Sequence, residues 1–155
     1  MPRRCQGFTL LELMIVMVLA GILLGIVSFA IGGNHARAAR QDAEAIVRMV
    51  QQLRNRAVRE GQEYGVRIST DGYRAVRLAG QDWQSVTELY LWPTELRLRL
   101  EQEGQFMSLG HDEGPPQLLA LSSDETSEFS LTFFIQDKTL LRLSSDGLSQ
   151  VVLGD

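Results

Sequence analysis

Few residues in this chain are of types that do chemistry. His35 and His111 are the only histidines, Cys5 is the only cysteine, and the acids Asp112-Glu113, Asp124-Glu125 and Asp137 fall in the C-terminal part. A nucleophilic triad drawn from His111, Asp112 and one of several serines has no spacing to support it, because such triads are recognised by geometry rather than composition. Calcium takes oxygen ligands, but no Asp-x-Asp-x-Asp-Gly run is present and the acids read as exposed loop residues. No Gly-rich phosphate-binding motif occurs, and one cysteine closes no internal disulfide. The expectation is a chain without catalytic residues, metal or cofactor. Trp83, Trp92 and Phe106 read as core or subunit-contact residues rather than as a ligand box.

Glu12 carries the most chemical information. From Phe8 to Ile31 it is the only charged side chain. A carboxylate in an apolar span costs several kcal/mol unless it is protonated, reaches the interface or meets a cation. Two readings stand on the residues alone: an acid near enough to the interface to stay wet, or one paired with a positive group on another subunit.

The elements that would position Glu12 follow from the apolar pattern. Phe8–Ile31 as helix gives roughly 36 Å at ~1.5 Å per residue, enough to cross a hydrocarbon core of about 30 Å. A secretory signal has a shorter apolar region, about 7–15 residues, ending at a small-residue cleavage site; this run continues into an amphipathic helix and reads as a membrane anchor. Arg3 and Arg4 precede it and Arg37, Arg40 and Arg48 follow, so positive charge does not orient it. Gly21 and Gly25 form a small-xxx-small pair of the kind that admits a second helix. Gly32-Gly33-Asn34 would bend or loosen the helix. Beyond it, Ala39, Ala43, Ile46, Val47, Val50, Leu53, Ala57 and Val58 recur at steps of mostly three and four, one face of a helix. Gly61 is its expected C-cap. If continuous from Phe8 to Glu60, this helix is about 80 Å long.

After Gly61 the pattern changes to short strands. Tyr64–Ser69 and Tyr73–Leu78 flank Thr70-Asp71-Gly72 as a hairpin. Further strands are expected at Glu88–Trp92, Leu96–Leu100, Leu118–Leu121, Phe129–Ile135, Leu140–Leu143 and Leu148–Leu153, the last two joined by a turn at Ser144-Ser145-Asp146-Gly147. Gln102 to Gly114 reads as a longer loop. The fold class is α+β, an antiparallel sheet arrangement packed on a long helix. Residues 61–155 hold seven basic and fifteen acidic residues, a net of −8 within a chain total of −4, which argues against a nucleic-acid partner.

The residues Gly7-Phe8-Thr9-Leu10-Leu11-Glu12-Leu13, after a leader containing Arg3 and Arg4, resemble the processing site of type IV prepilins and type II secretion pseudopilins. The resemblance implies cleavage after Gly7 by a prepilin peptidase on the cytoplasmic face and methylation of the new N-terminus at Phe8. It also implies that Glu12 neutralises the Phe8 amine of a neighbouring subunit as helices stack. The leader would then lie in the cytoplasm and the head in the periplasm. In such filaments a proline often interrupts the apolar segment; here there is none.

The Ala- and Arg-rich helix ending in Glu60-Gly61, the Tyr64-Gly65-Val66-Arg67 strand, the Asp71-Gly72-Tyr73 turn, the Phe129–Phe134 strand and the late Asp146-Gly147 turn are similar to the H-type minor pseudopilins (GspH), whose near relatives are the FimT- and FimU-like minor pilins. Gln102–Ser127 carries no part of the likeness. The implied organisation is a pilin-like fold: leader 1–7, transmembrane and filament-core helix 8–31, amphipathic continuation 32–60 and periplasmic β-rich head 61–155. The implied role is to initiate or form the tip of the type II secretion pseudopilus, which drives export of folded proteins across the outer membrane. Its implied partners are the I-, J- and K-type minor pseudopilins, the major pseudopilin, the inner membrane and exported cargo. Two other readings stay open: a minor pilin of a type IV pilus for motility or DNA uptake, and an uncleaved membrane-anchored periplasmic binding or sensor module.

Overall fold

The computed structural model describes the backbone of residues 10–154 and the side chains of residues 10–22 and 36–154. The leader, Gly7 and Phe8 lie outside the described residues, as do the surroundings of Gly25. One helix, α1 (Leu10–Glu60), comes first; it stays helical through Gly32-Gly33-Asn34, where a loosening was expected. The chain divides into two units, residues 1–34 and 35–155.

In the first unit, the apolar side chains from Leu10 to Ile22 are between 51% and 82% exposed. Among the described residues no helix is long and apolar enough to cross a membrane; the anchor expected at Phe8–Ile31 reaches beyond the described side chains.

In the second unit, Ala39, Ala43, Ile46, Val50, Leu53 and Ala57 are buried in one stripe of α1, as the three-and-four spacing requires. Val58, read as part of that face, is instead 47% exposed, because it lies one position past the stripe. Gly61 follows the helix at φ 62°, and the Gln62 amide donates to the Ala57 carbonyl at 3.2 Å. That six-to-one bond from a left-handed glycine is the Schellman C-cap.

The rest is antiparallel β-structure in two sheets. The first has the order β3 (Asp82–Ser85), β2 (Gly72–Ala79), β1 (Tyr64–Ile68), β7 (Leu118–Ala120), with β4 (Tyr90–Leu91) also paired to β2. The second has the order β10 (Val152–Gly154), β9 (Lys138–Asp146), β8 (Glu128–Ile135), β5 (Leu96–Gln102), β6 (Gln105–Met107). Alternate residues of both sheets, among them Val66, Ile68, Leu100, Leu118, Leu131, Phe133 and Leu143, form one core with the helix stripe.

Five strand expectations change, one of them Leu148–Leu153, where the strand is only Val152–Gly154. Asp82–Ser85 is a strand on polar residues, placed by pairing with β2 rather than by any apolar alternation. Inside the expected Gln102–Gly114 loop, β5 turns back as β6 through Glu103 at φ 50° and Gly104 at φ 75°. A two-residue hairpin needs positive φ at both positions, and Asn-Gly or Asp-Gly is its usual signature; Glu-Gly hides it. Ser144-Ser145-Asp146 is not a turn but the end of β9, with Ser144 opposite Ser130 and Ser145 buried against Thr126 at 3.2 Å. The reversal falls at Gly147, φ 83°, where the Asp146 carboxylate accepts from the Leu148 and Ser149 amides. Those bonds hold Asp146 below the usual carboxylate range. The expected Glu88–Trp92 strand keeps only Tyr90 and Leu91.

Tyr73, Tyr90, Trp92 and Phe133 tie the two sheets together. Tyr73 stacks on Tyr90 at 5.3 Å and meets Trp92 at 4.8 Å, and Trp92 meets Phe133 edge-on at 6.1 Å. The Trp92 indole donates to the Ser69 carbonyl at 2.9 Å. β4 lies so close to β2 that a Cβ on Gly72 would sit 2.1 Å from the Tyr90 carbonyl oxygen. Gly72→Ala is therefore expected to cost about 2–4 kcal/mol, by the strain of an unaccommodated contact, measured by urea denaturation against Gly80→Ala, which costs about 1 kcal/mol for its positive φ alone.

Burial, with the nearby Asp42 charge, raises Tyr73 to about 12. An unfolded tyrosine ionises near 10 while Tyr73 stays protonated in the fold, so its contribution to stability is whole below pH 10 and drains as pH rises through about 12. Absorbance titration should place the last phenol ionisation near pH 12, and Tyr73→Phe should remove that step.

Candidate assembly sites

Glu12 lies in the first turn of α1, exposed, with Leu11 and Leu13 beside it. The described side chains around it, from Leu10 to Ile22, are apolar on every side of the helix. A helix apolar all round belongs in lipid or among other helices. A Cβ added at Gly21 meets nothing within 4 Å among the described residues.

In the second unit the acids that suggested chemistry are dispersed into structural contacts. Asp124, at φ 72°, accepts from Arg54 Nε at 2.7 Å, and Arg54 Nη2 also donates to the Leu148 carbonyl at 3.1 Å. Arg54 thus clips two loops to α1. Asp112, read from the sequence as an exposed loop acid, is partly buried between two arginines: Arg74 Nη2 at 2.6 Å from Oδ2 and Arg67 Nη1 at 3.5 Å from Oδ1. Arg67 is 6% exposed. Arg67 and Arg74 sit directly opposite each other on β1 and β2, a like-charge pairing that is unfavourable without an anion. Asp112 supplies that anion and holds the Gly110–Pro116 segment against the hairpin, helped by the Thr70 amide donating to the Gly110 carbonyl at 3.0 Å. The hairpin register was the only sequence signal for this cluster; the distant Asp112 had none.

At the helix end, Arg56 bonds Glu60 at 2.7 Å and lies 5.2 Å over the Tyr64 ring, whose hydroxyl donates to the same carboxylate. The Tyr64 bond, followed by the Arg56 bond, holds Glu60 below its ordinary range, and burial pushes Tyr64 up. No serine hydroxyl is bonded to His111, and no three His, Cys, Asp or Glu side chains converge as metal ligands, among the described residues.

Residues 2–28 match the family model described as the prokaryotic N-terminal methylation motif. The chain is 34% identical to type II secretion system protein H of Pseudomonas aeruginosa over 94% of its own length and 93% of that protein. It is 30% identical to the protein of the same name from Aeromonas hydrophila, over 87% of this chain and 84% of that one. Among solved structures it resembles the minor pseudopilin EpsH of the Vibrio cholerae type II secretion system, with TM-score 0.64 and 22% identity over 76% of this chain and 95% of that one. It also resembles E. coli GspH, with TM-score 0.62 and 21% identity over 76% of this chain and 88% of that one. Those two likenesses establish the fold: a helix followed by antiparallel sheets.

Asp112→Ala should leave Arg67 and Arg74 facing each other uncompensated and cost about 3–5 kcal/mol in urea denaturation, the usual result of breaking one side of a buried pair. Asp124→Ala, which removes an exposed partner of Arg54, should cost about 1 kcal/mol or less.

Proposed function

This chain belongs to the family of type II secretion system protein H, and from that premise we propose that it is a minor pseudopilin processed after Gly7 and anchored through its first helix. The observation that carries the proposal is the placement of Glu12 at the start of a helix whose described side chains to Ile22 are apolar and uncovered. Such a surface is stable only in a bilayer or against other helices, and an acid within it needs a cation. Cleavage after Gly7 makes one: the amine of Phe8. On a neighbouring subunit, displaced along the axis, that amine and Glu12 neutralise each other, an attraction that low dielectric strengthens.

In this reading a prepilin peptidase removes residues 1–7 and methylates Phe8. Residues 8–31 sit in the inner membrane before assembly and in the filament core after it, with the head in the periplasm. Gly21 and Gly25 provide a surface for close helix approach. The partners are the I-, J- and K-type minor pseudopilins and the major pseudopilin, and the filament tip they form acts in exporting folded proteins. The head contributes binding surfaces and no catalysis.

Co-expression with a prepilin peptidase followed by intact-mass measurement should show loss of Met1–Gly7 and gain of one methyl group; an unchanged mass overturns the processing reading. Glu12→Ala should be cleaved and methylated normally yet co-purify with the other pseudopilins at a small fraction of the wild-type level, about tenfold less or lower for a loss of ~1.4 kcal/mol or more in pairing. Normal incorporation of that variant would remove the charge-pairing role and leave the processing role standing.

A further inference from the structure

The second sheet buries one face and shows the other. Leu96, Leu100, Leu131, Phe133, Leu141 and Leu143 face the core. On the opposite face the register sets Arg97 across from Phe134, and Arg99 across from Thr132, which in turn faces Arg142. The Arg99 guanidinium lies between two rings, 5.3 Å from the centroid of Phe106 and 5.0 Å from that of Phe134. Phe106, on the edge strand β6, is 69% exposed. Arg142 Nε donates to Thr132 Oγ1 at 3.3 Å.

This face runs against the charge of the rest of the head. Residues 61–155 hold seven basic and fifteen acidic residues, and three of the seven stand together here. Arg67 and Arg74 share Asp112 as their anion. Arg97, Arg99 and Arg142 are exposed, and among the described residues none has a carboxylate within ion-pair distance. The Arg99 guanidinium already packs against both rings, so less side-chain freedom is lost when a carboxylate arrives than for a free arginine. Two shallow hollows of about 380 and 400 Å³ flank it, each large enough to seat an apolar side chain. Arginine with exposed aromatics is the composition that carries binding energy in protein interfaces.

We propose that the outer face of the second sheet, built on Arg97, Arg99, Arg142, Phe106 and Phe134, docks a protein partner through an acidic patch that surrounds an apolar side chain. Glu101 lines one hollow and Asp137 the other. A uniformly anionic surface, such as a phospholipid headgroup layer or an acidic polysaccharide, meets repulsion at both points. A protein patch sets its carboxylates over the arginines and avoids the two acids. The interaction weakens with salt, because exposed charges are screened within about 8 Å at physiological ionic strength. This site uses no residue of the N-terminal segment.

The test uses the full chain in its native host, with the exposed Thr139 on this face replaced by the photo-crosslinking residue p-benzoylphenylalanine. The expected result is a protein adduct whose crosslinked segment, read by mass spectrometry, carries two or more acidic residues. R97E/R99E/R142E should lower the adduct by about tenfold or more, the mark of at least ~1.4 kcal/mol lost, and exchanging the partner's acids for lysine should restore it. Phe106→Ser, which leaves all three arginines in place, should lower it several-fold. Melting temperature and the mass of the processed chain are followed in each variant, so that loss of folding or of N-terminal cleavage is read apart from loss of docking. An adduct to lipid or polysaccharide, an adduct to a segment without acids, one undiminished in both well-folded variants, or no adduct at all would overturn the proposal.

Discussion

The stripe of Ala39, Ala43, Ile46, Val50, Leu53 and Ala57, each 5% exposed or less, is the contact on which the head depends. Three alanines let the sheets approach the helix closely, while Ile46, Val50 and Leu53 fill the space between, each worth about 1.5–3 kcal/mol of burial. Because the stripe runs to the last turn of α1, the exit of the chain is determined with it. Gly61 turns the backbone, and Tyr64 enters β1 with its ring fully buried and its hydroxyl on Glu60. From there β1 pairs with β2 and β7, and the first sheet follows from that one strand.

The same helix is used in two physically different ways. From Ala39 to Ala57 it is amphipathic and finds its apolar partner within the chain. From Leu10 to Ile22 it is apolar all round, and its partner must come from elsewhere. A protein that put the second kind of surface in water would aggregate; in the proposed role a membrane and neighbouring helices would receive it. In that proposed role the one acid in the stretch, Glu12, would be met by a cation, which a carboxylate in low dielectric requires.

Within the head, charge serves two ends. Arg54 with Asp124 and Leu148, Arg67 and Arg74 with Asp112, and Glu63 with the Ser122 amide and hydroxyl pin segments that lack regular structure of their own. The exposed Arg54–Asp124 pair adds little stability and the partly buried Asp112 cluster adds more, and each contact selects one loop conformation. On the outer face of the second sheet, by contrast, Arg97, Arg99 and Arg142 are exposed, and Arg99 packs against Phe106 and Phe134. The helix and first sheet form the scaffold, and the second sheet is the surface left for recognition.

Local pattern alone determined the long helix, its buried stripe, its glycine cap, the first hairpin and the presence of an N-terminal methylation motif, because each is a matter of spacing between neighbours along the chain. The likeness to H-type pseudopilins was legible for the same reason: each of the short motifs that carry it is contiguous. What only the tertiary structure decided are the contacts between residues far apart in sequence. Asp112 could not be assigned to Arg67 and Arg74, because the loop that carries it has no periodicity. β3 and β6 owe their existence to a strand already in place beside them, since polar or three-residue segments hold no extended form alone. Ser144-Ser145-Asp146 reads as a turn by composition and becomes strand because β8 offers it backbone partners and a buried site for Ser145. The assembly of Arg97, Arg99 and Arg142 with Phe106 and Phe134 depends on three strand registers at once, and register is settled by burial of the opposite face, which no single stretch of sequence contains.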